Sequence, residues 1–149
     1  MEKEPMLISA CFLGIDCKYS GGNNALGDKV IAGLKEKYQL VPVCPESYGG
    51  LPSPRLPSER VGERVLAKDG ADVTEQYKKG AAAALRLAEL FGCKIALMKE
   101  RSPSCGHDSI YDGSFTGRVV PGDGVAAELL KQNGVTVYGE SDVMRLINA

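Results

Sequence analysis

The residues of this sequence that could do chemistry are first of all its cysteines. Five occur among 149 residues, and an odd number fits reduced thiols better than a set of disulfides. Cys11 follows one apolar segment, Cys44 ends a second, and Cys105 lies in the loop after a third. Thiolates are soft ligands that bind zinc or an iron-sulfur cluster, so three of them at one place would form a metal centre. No local Cys-x-x-Cys pair is present, so only the fold could bring these thiols together.

Apolar periodicity divides the chain into alternating strands and helices. Four apolar runs are typical of buried strands, and they cover residues 6–10, 40–44, 94–98 and 135–138. Apolar residues at helical spacing predict helices at 24–38, 74–91, 125–132 and 142–147. Such alternation indicates right-handed crossovers and a parallel sheet covered on both faces. We predict one doubly wound α/β domain of the Rossmann or flavodoxin type over residues 1–149, with a mostly parallel sheet of about four strands.

Local signals add detail to this prediction. Asn24 is a candidate cap of the first helix, and Asp72 with Glu75 suits a capping box at the start of the helix at 74–91. Residues 45–73 contain several prolines and no helical pattern, which predicts a functional loop inserted over one edge of the sheet. Within the insertion we predict a hairpin that turns at residues 68–71.

The predicted strand order indicates where the three thiols lie. The carboxyl ends of parallel strands share one edge of the sheet, where open α/β folds bind ligands. Cys11, Cys44 and Cys105 all fall at this edge, next to small or hydroxylated residues that we expect to leave backbone N–H groups free to donate to sulfur. Glu46 lies two residues after Cys44, where its carboxylate could do general acid-base work. The sequence therefore predicts a three-thiolate metal site with a carboxylate beside it.

Five other residues could either take part in chemistry or have only structural roles. Cys93 lies at a helix-to-strand junction, where packing is the favoured interpretation. Cys17 stays open between a fourth ligand, a resolving thiol and packing. His107 is more typical of an exposed loop histidine than of a ligand. Arg55 and Glu59 could contact a substrate or pair with each other, and the pair is favoured.

Charge and hydropathy restrict the partners. The chain has 18 Lys and Arg against 19 Asp and Glu, so no basic field predicts binding to nucleic acid. No segment reaches the roughly 20 apolar residues of a membrane span, and the charged N-terminus is unlike a secretory signal. We expect a cytoplasmic protein with a small-molecule partner, and the oligomeric state is left open.

Six sequence blocks together carry a resemblance to a known family. In order, they are residues 9–14, 44–46, 50–55, 102–106, 111–117 and 121–125. The first reads Ser-Ala-Cys-Phe-Leu-Gly, the second Cys-Pro-Glu and the fourth Ser-Pro-Ser-Cys-Gly. This set resembles the thiouracil desulfidase family of single-domain proteins. One departure is at Lys18 and Ser20, where the family commonly has Arg and Asp, and it concerns the identity of the substrate.

The resemblance implies a specific activity and cofactor. It implies a [4Fe-4S] cluster bound by Cys11, Cys44 and Cys105, with one iron open to the substrate. It also implies that Glu46 and Ser102 are the acid-base residues in a non-redox removal of sulfur, as sulfide, from a thiolated base or related thioamide. Alternatives are a non-enzymatic zinc or iron-sulfur protein, with zinc closed by Cys17 or His107, and a thiol-only sulfur carrier. A tyrosine phosphatase is disfavoured, because Lys18 cannot hold a phosphate with the two-pronged geometry of arginine.

Overall fold

The computed structural model describes residues 3–148; Met1, Glu2 and Ala149, at the ends of the predicted domain, lie outside the described residues. The strands are β1 (Glu4–Ser9), β2 (Tyr38–Val43), β3 (Ser58–Val61), β4 (Arg64–Ala67), β5 (Ile95–Leu97), β6 (Ser109–Tyr111), β7 (Val119–Pro121) and β8 (Thr136–Tyr138). The α-helices are α1 (Asp28–Lys37), α2 (Pro45–Tyr48), α3 (Thr74–Phe91), α4 (Val125–Gln132) and α5 (Val143–Asn148).

A parallel four-stranded sheet organises the chain in the order β2-β1-β5-β8. Met6 of β1 lies between Leu40 of β2 and Ile95 of β5, and all three strand pairs are parallel. From β1 the chain continues to β2 on one side of β1. It then crosses to β5 on the other side of β1 and continues to β8. This reversal makes the carboxyl ends of β1 and β5 the topological switch point, where such sheets bind ligands. The predicted doubly wound α/β fold is confirmed.

Both faces of the sheet are covered, which explains why its strands are apolar throughout. On one face, Leu7 and Ala96 are buried in a core that also contains residues of α3 and α4. On the other face, Met6, Ile8 and Leu97 are buried in a core with residues of α1 and α5. Alternate residues of one strand therefore contribute to different cores, as expected for a strand buried on both sides.

The bounds of α3 and α4 agree with the prediction, but two predicted N-terminal caps are wrong. The first helix begins at Asp28 with Gly27 as its N-cap, and the backbone N–H of Asn24 donates to the carbonyl of Cys11 at 2.9 Å instead. The N-cap of α3 is Val73, with no side-chain cap. Asp72 accepts from the backbone N–H of Thr74 at 2.9 Å without the predicted reciprocal box.

The insertion differs from the prediction in two respects. It contains the short helix α2, and its hairpin joins β3 to β4, with Val61 paired to Arg64 across the turn. The predicted strand at 64–67 is correct, but it pairs with β3, which precedes it, and not with the chain that follows it. After the predicted turn at 68–71, the contact with this strand is an isolated bridge between Leu66 and Asp72. A second antiparallel hairpin, β6–β7, follows β5. Among residues 3–148, no helix has both the length and the hydropathy needed to span a membrane.

Candidate functional site

A cavity of about 540 Å³ opens at the carboxyl edge of the sheet. Cys11, Cys44, Cys105, Glu46 and Ser102, the residues predicted for the site, all line it. They come from three separate segments, which follow β1, β2 and β5. The expectation that the fold gathers these residues at one edge therefore agrees with the structure, while their roles stay predictions.

The segment after β1 positions Cys11 in a single turn of 3₁₀ helix, Ala10–Leu13, and Gly14 closes the turn with a φ of 87°. The Cys11 carbonyl accepts from the N–H of Gly14 at 3.3 Å and from that of Asn24 at 2.9 Å. These bonds fix the backbone of Cys11 where β1 ends, so its thiol stays at the switch point.

Cys44 lies at the end of β2 as the N-cap of α2, and its thiol donates to the carbonyl of Cys17 at 3.7 Å. Cys17 is buried and also lines the cavity. Four cysteines thus border one space, and Cys17 keeps all the roles that the sequence left open for it.

Cys105 lies in a loop that the N-terminus of α4 holds in place. The N–H groups of Val125 and Ala126 donate to the carbonyls of Pro103 and Ser104 at 2.8 and 2.9 Å. The N–H of Cys105 donates to Ser102 Oγ, so it is not free for sulfur as predicted. Ser104 Oγ lies 3.4 Å from this sulfur instead, and its one proton can be donated either to Cys105 Sγ or to Glu46.

Burial disfavours the ionised thiols in the metal-free protein. Desolvation raises the pKa of Cys11, and a hydrogen bond from Asn24 opposes only part of that effect. Desolvation also raises the pKa of Cys105 to about 12, and that of Cys17 to about 12 with a contribution from Cys44. Metal binding requires deprotonated thiols, so metal uptake at this site would release protons.

Three donors hold the carboxylate of Glu46. The Tyr77 hydroxyl donates to Oε1, Arg55 Nη2 lies 3.3 Å from Oε2, and the Ser104 hydroxyl donates to Oε2 at 3.4 Å. The favoured pairing of Arg55 with Glu59 is therefore wrong, because the guanidinium, 7% exposed, pairs with Glu46. An ionised carboxylate offers about four acceptor positions, so Oε1 keeps one free for a water molecule.

Close packing of α2 on α3 positions Glu46. A Cβ on Gly80 would collide with the carbonyl oxygen of Pro45, and one on Gly49 would collide with that of Gln76. The two helices therefore approach through glycine at both contacts. This approach brings Glu46, in the first turn of α2, within hydrogen-bonding distance of α3.

The hydroxyl of Ser102 is oriented by its own loop. Its oxygen accepts from the N–H groups of Ser104 and Cys105, both at 3.1 Å. A serine oxygen has two acceptor positions, so its proton is left to donate, and Ser104 Oγ lies 3.0 Å away. A chain of hydroxyls therefore runs from Ser102 through Ser104 to Glu46, and it joins the two predicted acid-base residues.

Cys93 and His107 lie elsewhere. Cys93 is buried in the core on the α3 and α4 side of the sheet, in agreement with a packing role. His107 is partly buried, and its Nε2 lies 3.3 Å from Asp108 Oδ2. Within residues 3–148, His107, Asp108 and Asp123 have ligand atoms within 4.8 Å of one another, but Lys131 Nζ already lies 3.0 and 2.9 Å from the two carboxylates.

Comparisons with known proteins show the family of this chain. The model of the 2-thiouracil desulfurase family matches residues 6–142. This chain belongs to that family. A relative named "Uncharacterized protein YbbK", from Bacillus subtilis (strain 168), is 38% identical over 148 residues, which cover 93% of this chain and 97% of the relative. A solved structure described as the [4Fe-4S]-dependent thiouracil desulfidase TudS is 40% identical, with a TM-score of 0.89, covering 97% of this chain and 95% of that one.

Membership of the 2-thiouracil desulfurase family confirms the predicted resemblance and shows that this chain is an enzyme. The prediction of a non-enzymatic metal protein is accordingly not retained. The sequence blocks behind the resemblance have structural roles around the cavity: residues 50–55 supply Arg55, 111–117 supply Phe115 at its wall, and 121–125 hold the Cys105 loop.

Sequence reasoning missed the contacts of Tyr77 and Ser104 at this site. Tyr77 lies on the apolar stripe of α3 and is buried. A buried tyrosine hydroxyl normally has a hydrogen-bond partner. A tyrosine on the alanine-rich face of this helix was therefore the sequence signal for a hydrogen bond to the insertion. Burial and the Glu46 carboxylate raise the pKa of the Tyr77 hydroxyl, which therefore stays a proton donor to Glu46.

Tyr77→Phe tests this contact. We expect a loss of about tenfold in kcat, because the Glu46 carboxylate loses one of the donors that orient it. Tyr38→Phe is the matched control, since Tyr38 is also buried and its hydroxyl donates to the carbonyl of Leu146 on the other face of the sheet. An equal change of kcat in both variants, or an unchanged kcat in Tyr77→Phe, contradicts the assignment.

Proposed function

We propose that this chain removes sulfur from a thiolated pyrimidine such as 2-thiouracil by hydrolysis, without net redox chemistry, and releases it as sulfide. The supporting observation is the lining of one cavity by Cys11, Cys44 and Cys105 together with the hydroxyl chain that joins Ser102 to Glu46. Membership of the 2-thiouracil desulfurase family and the 40% identity to a [4Fe-4S]-dependent thiouracil desulfidase support the same activity.

The donor set fits an iron-sulfur cluster better than zinc. Zinc binds thiolates at about 2.3 Å, so two sulfurs on one zinc ion lie at most about 4.6 Å apart. Within residues 3–148, no three of the cysteines have sulfur atoms that all lie within 4.8 Å of one another. A cluster distributes its thiolate ligands over different irons and so suits a wider spacing. We therefore propose a [4Fe-4S] cluster held by Cys11, Cys44 and Cys105, in one domain spanning residues 1–149.

The cluster would supply a chemical property that the side chains lack. When bound through three thiolates, it presents one iron with an open position, and this soft site suits the sulfur of a thiocarbonyl group. His107, one of the residues considered for closing a zinc site, does not line the cavity.

The side chains would carry the proton transfers. The free acceptor position of Glu46 Oε1 takes a proton from the water that attacks the thiocarbonyl carbon. Arg55 and Tyr77 hold that carboxylate in position before the attack. The Ser102 hydroxyl, held as a donor by two backbone N–H groups, turns from Ser104 to a heteroatom of the substrate and stabilises the charge that develops there. The hydrolysis consumes one water molecule and transfers no electrons.

The test is an anaerobic assay of protein reconstituted with iron and sulfide. With 2-thiouracil as substrate and no electron donor, we expect uracil and sulfide in equal amounts and a visible spectrum that returns to its starting form after turnover. A requirement for a reductant, or uracil formed without sulfide, contradicts non-redox hydrolysis. Turnover by protein without iron would favour the thiol-only sulfur carrier. Cytoplasmic location and the absence of nucleic-acid binding stay predictions.

A further inference from the structure

A second carboxylate faces the cavity with half of its hydrogen-bonding capacity unused. Glu59 on β3 is only 8% exposed and lines the cavity. Its Oε1 accepts from the N–H groups of Gly113 and Phe115 at 2.9 and 3.1 Å. Its Oε2 has no hydrogen bond, and no cation pairs with this carboxylate, among residues 3–148. The nearby guanidinium of Arg55 is engaged by Glu46.

The Oε2 oxygen of Glu59 is open to a donor that enters the cavity. At a mostly buried position, each hydrogen-bond donor that replaces lost hydration is favourable. Two backbone N–H groups serve Oε1, but nothing among the described residues serves Oε2. Since the side chain lines the cavity, a ligand that carries an N–H group can supply the missing donor.

The same carboxylate fixes an aromatic ring at the cavity. Phe115 lies in the β6–β7 loop with a φ of 59°, a left-handed conformation that is uncommon for a bulky side chain. Its N–H donates to Glu59, and the loop before it is braced by Asp112 Oδ1, which accepts from the N–H of Ser114 at 2.8 Å. Unfavourable backbone conformations of this kind persist where surrounding contacts impose them, often at ligand sites. Phe115 lines the same cavity.

We propose that Glu59 and Phe115 form a subsite that recognises the ring of the substrate. Glu59 Oε2 accepts a hydrogen bond from a ring N–H, and Phe115 packs on the face of the planar ring. This inference rests on the proposed function and narrows its substrate class to planar cyclic thioamides that retain a ring N–H at that position. A thiolated base that carries an alkyl group on that nitrogen loses this hydrogen bond.

Glu59→Gln is the decisive variant because it keeps the hydrogen bonds to the β6–β7 loop but replaces the acceptor for the ring N–H with a donor. The amide oxygen of glutamine can still accept from Gly113 and Phe115, while its NH₂ group replaces the free acceptor with a donor. With cluster-loaded protein we expect the KM for 2-thiouracil and the Kd for uracil, measured by titration calorimetry, to rise about tenfold or more, with kcat little changed. Glu63→Gln, whose side chain is 90% exposed on the turn of the same hairpin, is the matched control and leaves both constants unchanged.

Substrate analogues test the proposal without any change to the protein. Of 1-methyl- and 3-methyl-2-thiouracil, one is expected to lose about tenfold or more in kcat/KM, and Glu59→Gln should remove most of that discrimination. Uracil binding that is equal in Glu59→Gln and unchanged protein, or equal turnover of both methylated analogues, overturns the subsite. Binding of uracil that depends on Glu59, without any turnover of 2-thiouracil, supports the subsite and refutes the proposed function.

Discussion

Anaerobically prepared Cys105→Ala protein is expected to contain no iron-sulfur cluster and to be inactive toward 2-thiouracil. Unchanged protein should hold about four iron and four acid-labile sulfide per chain, with the broad visible absorption of such a cluster. Cys11→Ala and Cys44→Ala should lose both in the same way, because each would remove one of the three proposed ligands. Iron and sulfide analysis together with the visible spectrum measure the effect.

The control for this series is Cys93→Ala. Cys93 is buried, like Cys11 and Cys105, but lies in the core beneath α3 and α4 and does not line the cavity. Its replacement makes the same small cavity and should leave iron content and turnover intact. Retention of the cluster in all three ligand variants, or its loss in Cys93→Ala, would show that the three thiolates have been wrongly assigned.

The parts of the fold that follow from local pattern were predicted from the sequence. The buried strands are continuous apolar runs because helices cover both faces of the sheet, and the long stripe of α3 sets both of its ends correctly. The convergence of Cys11, Cys44 and Cys105 follows from strand direction alone, since parallel strands end at a common edge. None of this required knowledge of side-chain contacts.

The strand pairing and the side-chain contacts of the insertion were not predicted from the sequence. The strand at 64–67 could pair with chain on either side, and its actual partner, β3, has the sequence Ser-Glu-Arg-Val, which gives little strand signal. Arg55 and Glu59 are close in sequence, yet the guanidinium binds Glu46, and Glu59 binds the N–H groups of a distant loop. Pairings of this kind are decided by how the insertion folds over the sheet, which no local pattern encodes.

Tyr77 shows a further limit of pattern reasoning. Helical periodicity correctly places it on the buried face of α3, but periodicity reports burial and carries no information about hydrogen bonds. The hydroxyl contacts Glu46 only because α2, a four-residue helix absent from the prediction, packs against α3 at Gly80. A short helix of this length has too few residues to show a periodic signal.

Glu46→Gln is expected to lower kcat for 2-thiouracil by roughly 10²- to 10⁴-fold, the range typical for loss of a general acid-base group. Glutamine keeps the size of the side chain, and its amide oxygen can still accept from Tyr77, so α2 should stay packed on α3. The amide cannot take a proton from water, and its NH₂ group would face the guanidinium of Arg55 in place of an oxygen. The effect should therefore fall on kcat, measured under anaerobic conditions at saturating substrate.

Two measurements on the same Glu46→Gln protein separate lost chemistry from a damaged site. Iron and sulfide content should match that of unchanged protein, because Cys44 belongs to the end of β2 and its thiol contact is to Cys17 rather than to Glu46. The Kd for uracil should also be unchanged, since the proposed ring contacts are made by Glu59 and Phe115 on other segments. Full turnover in Glu46→Gln would assign the proton transfer to another group. The Ser102–Ser104 hydroxyl pair would be the next to replace, because Ser104 Oγ lies 3.4 Å from Glu46 Oε2.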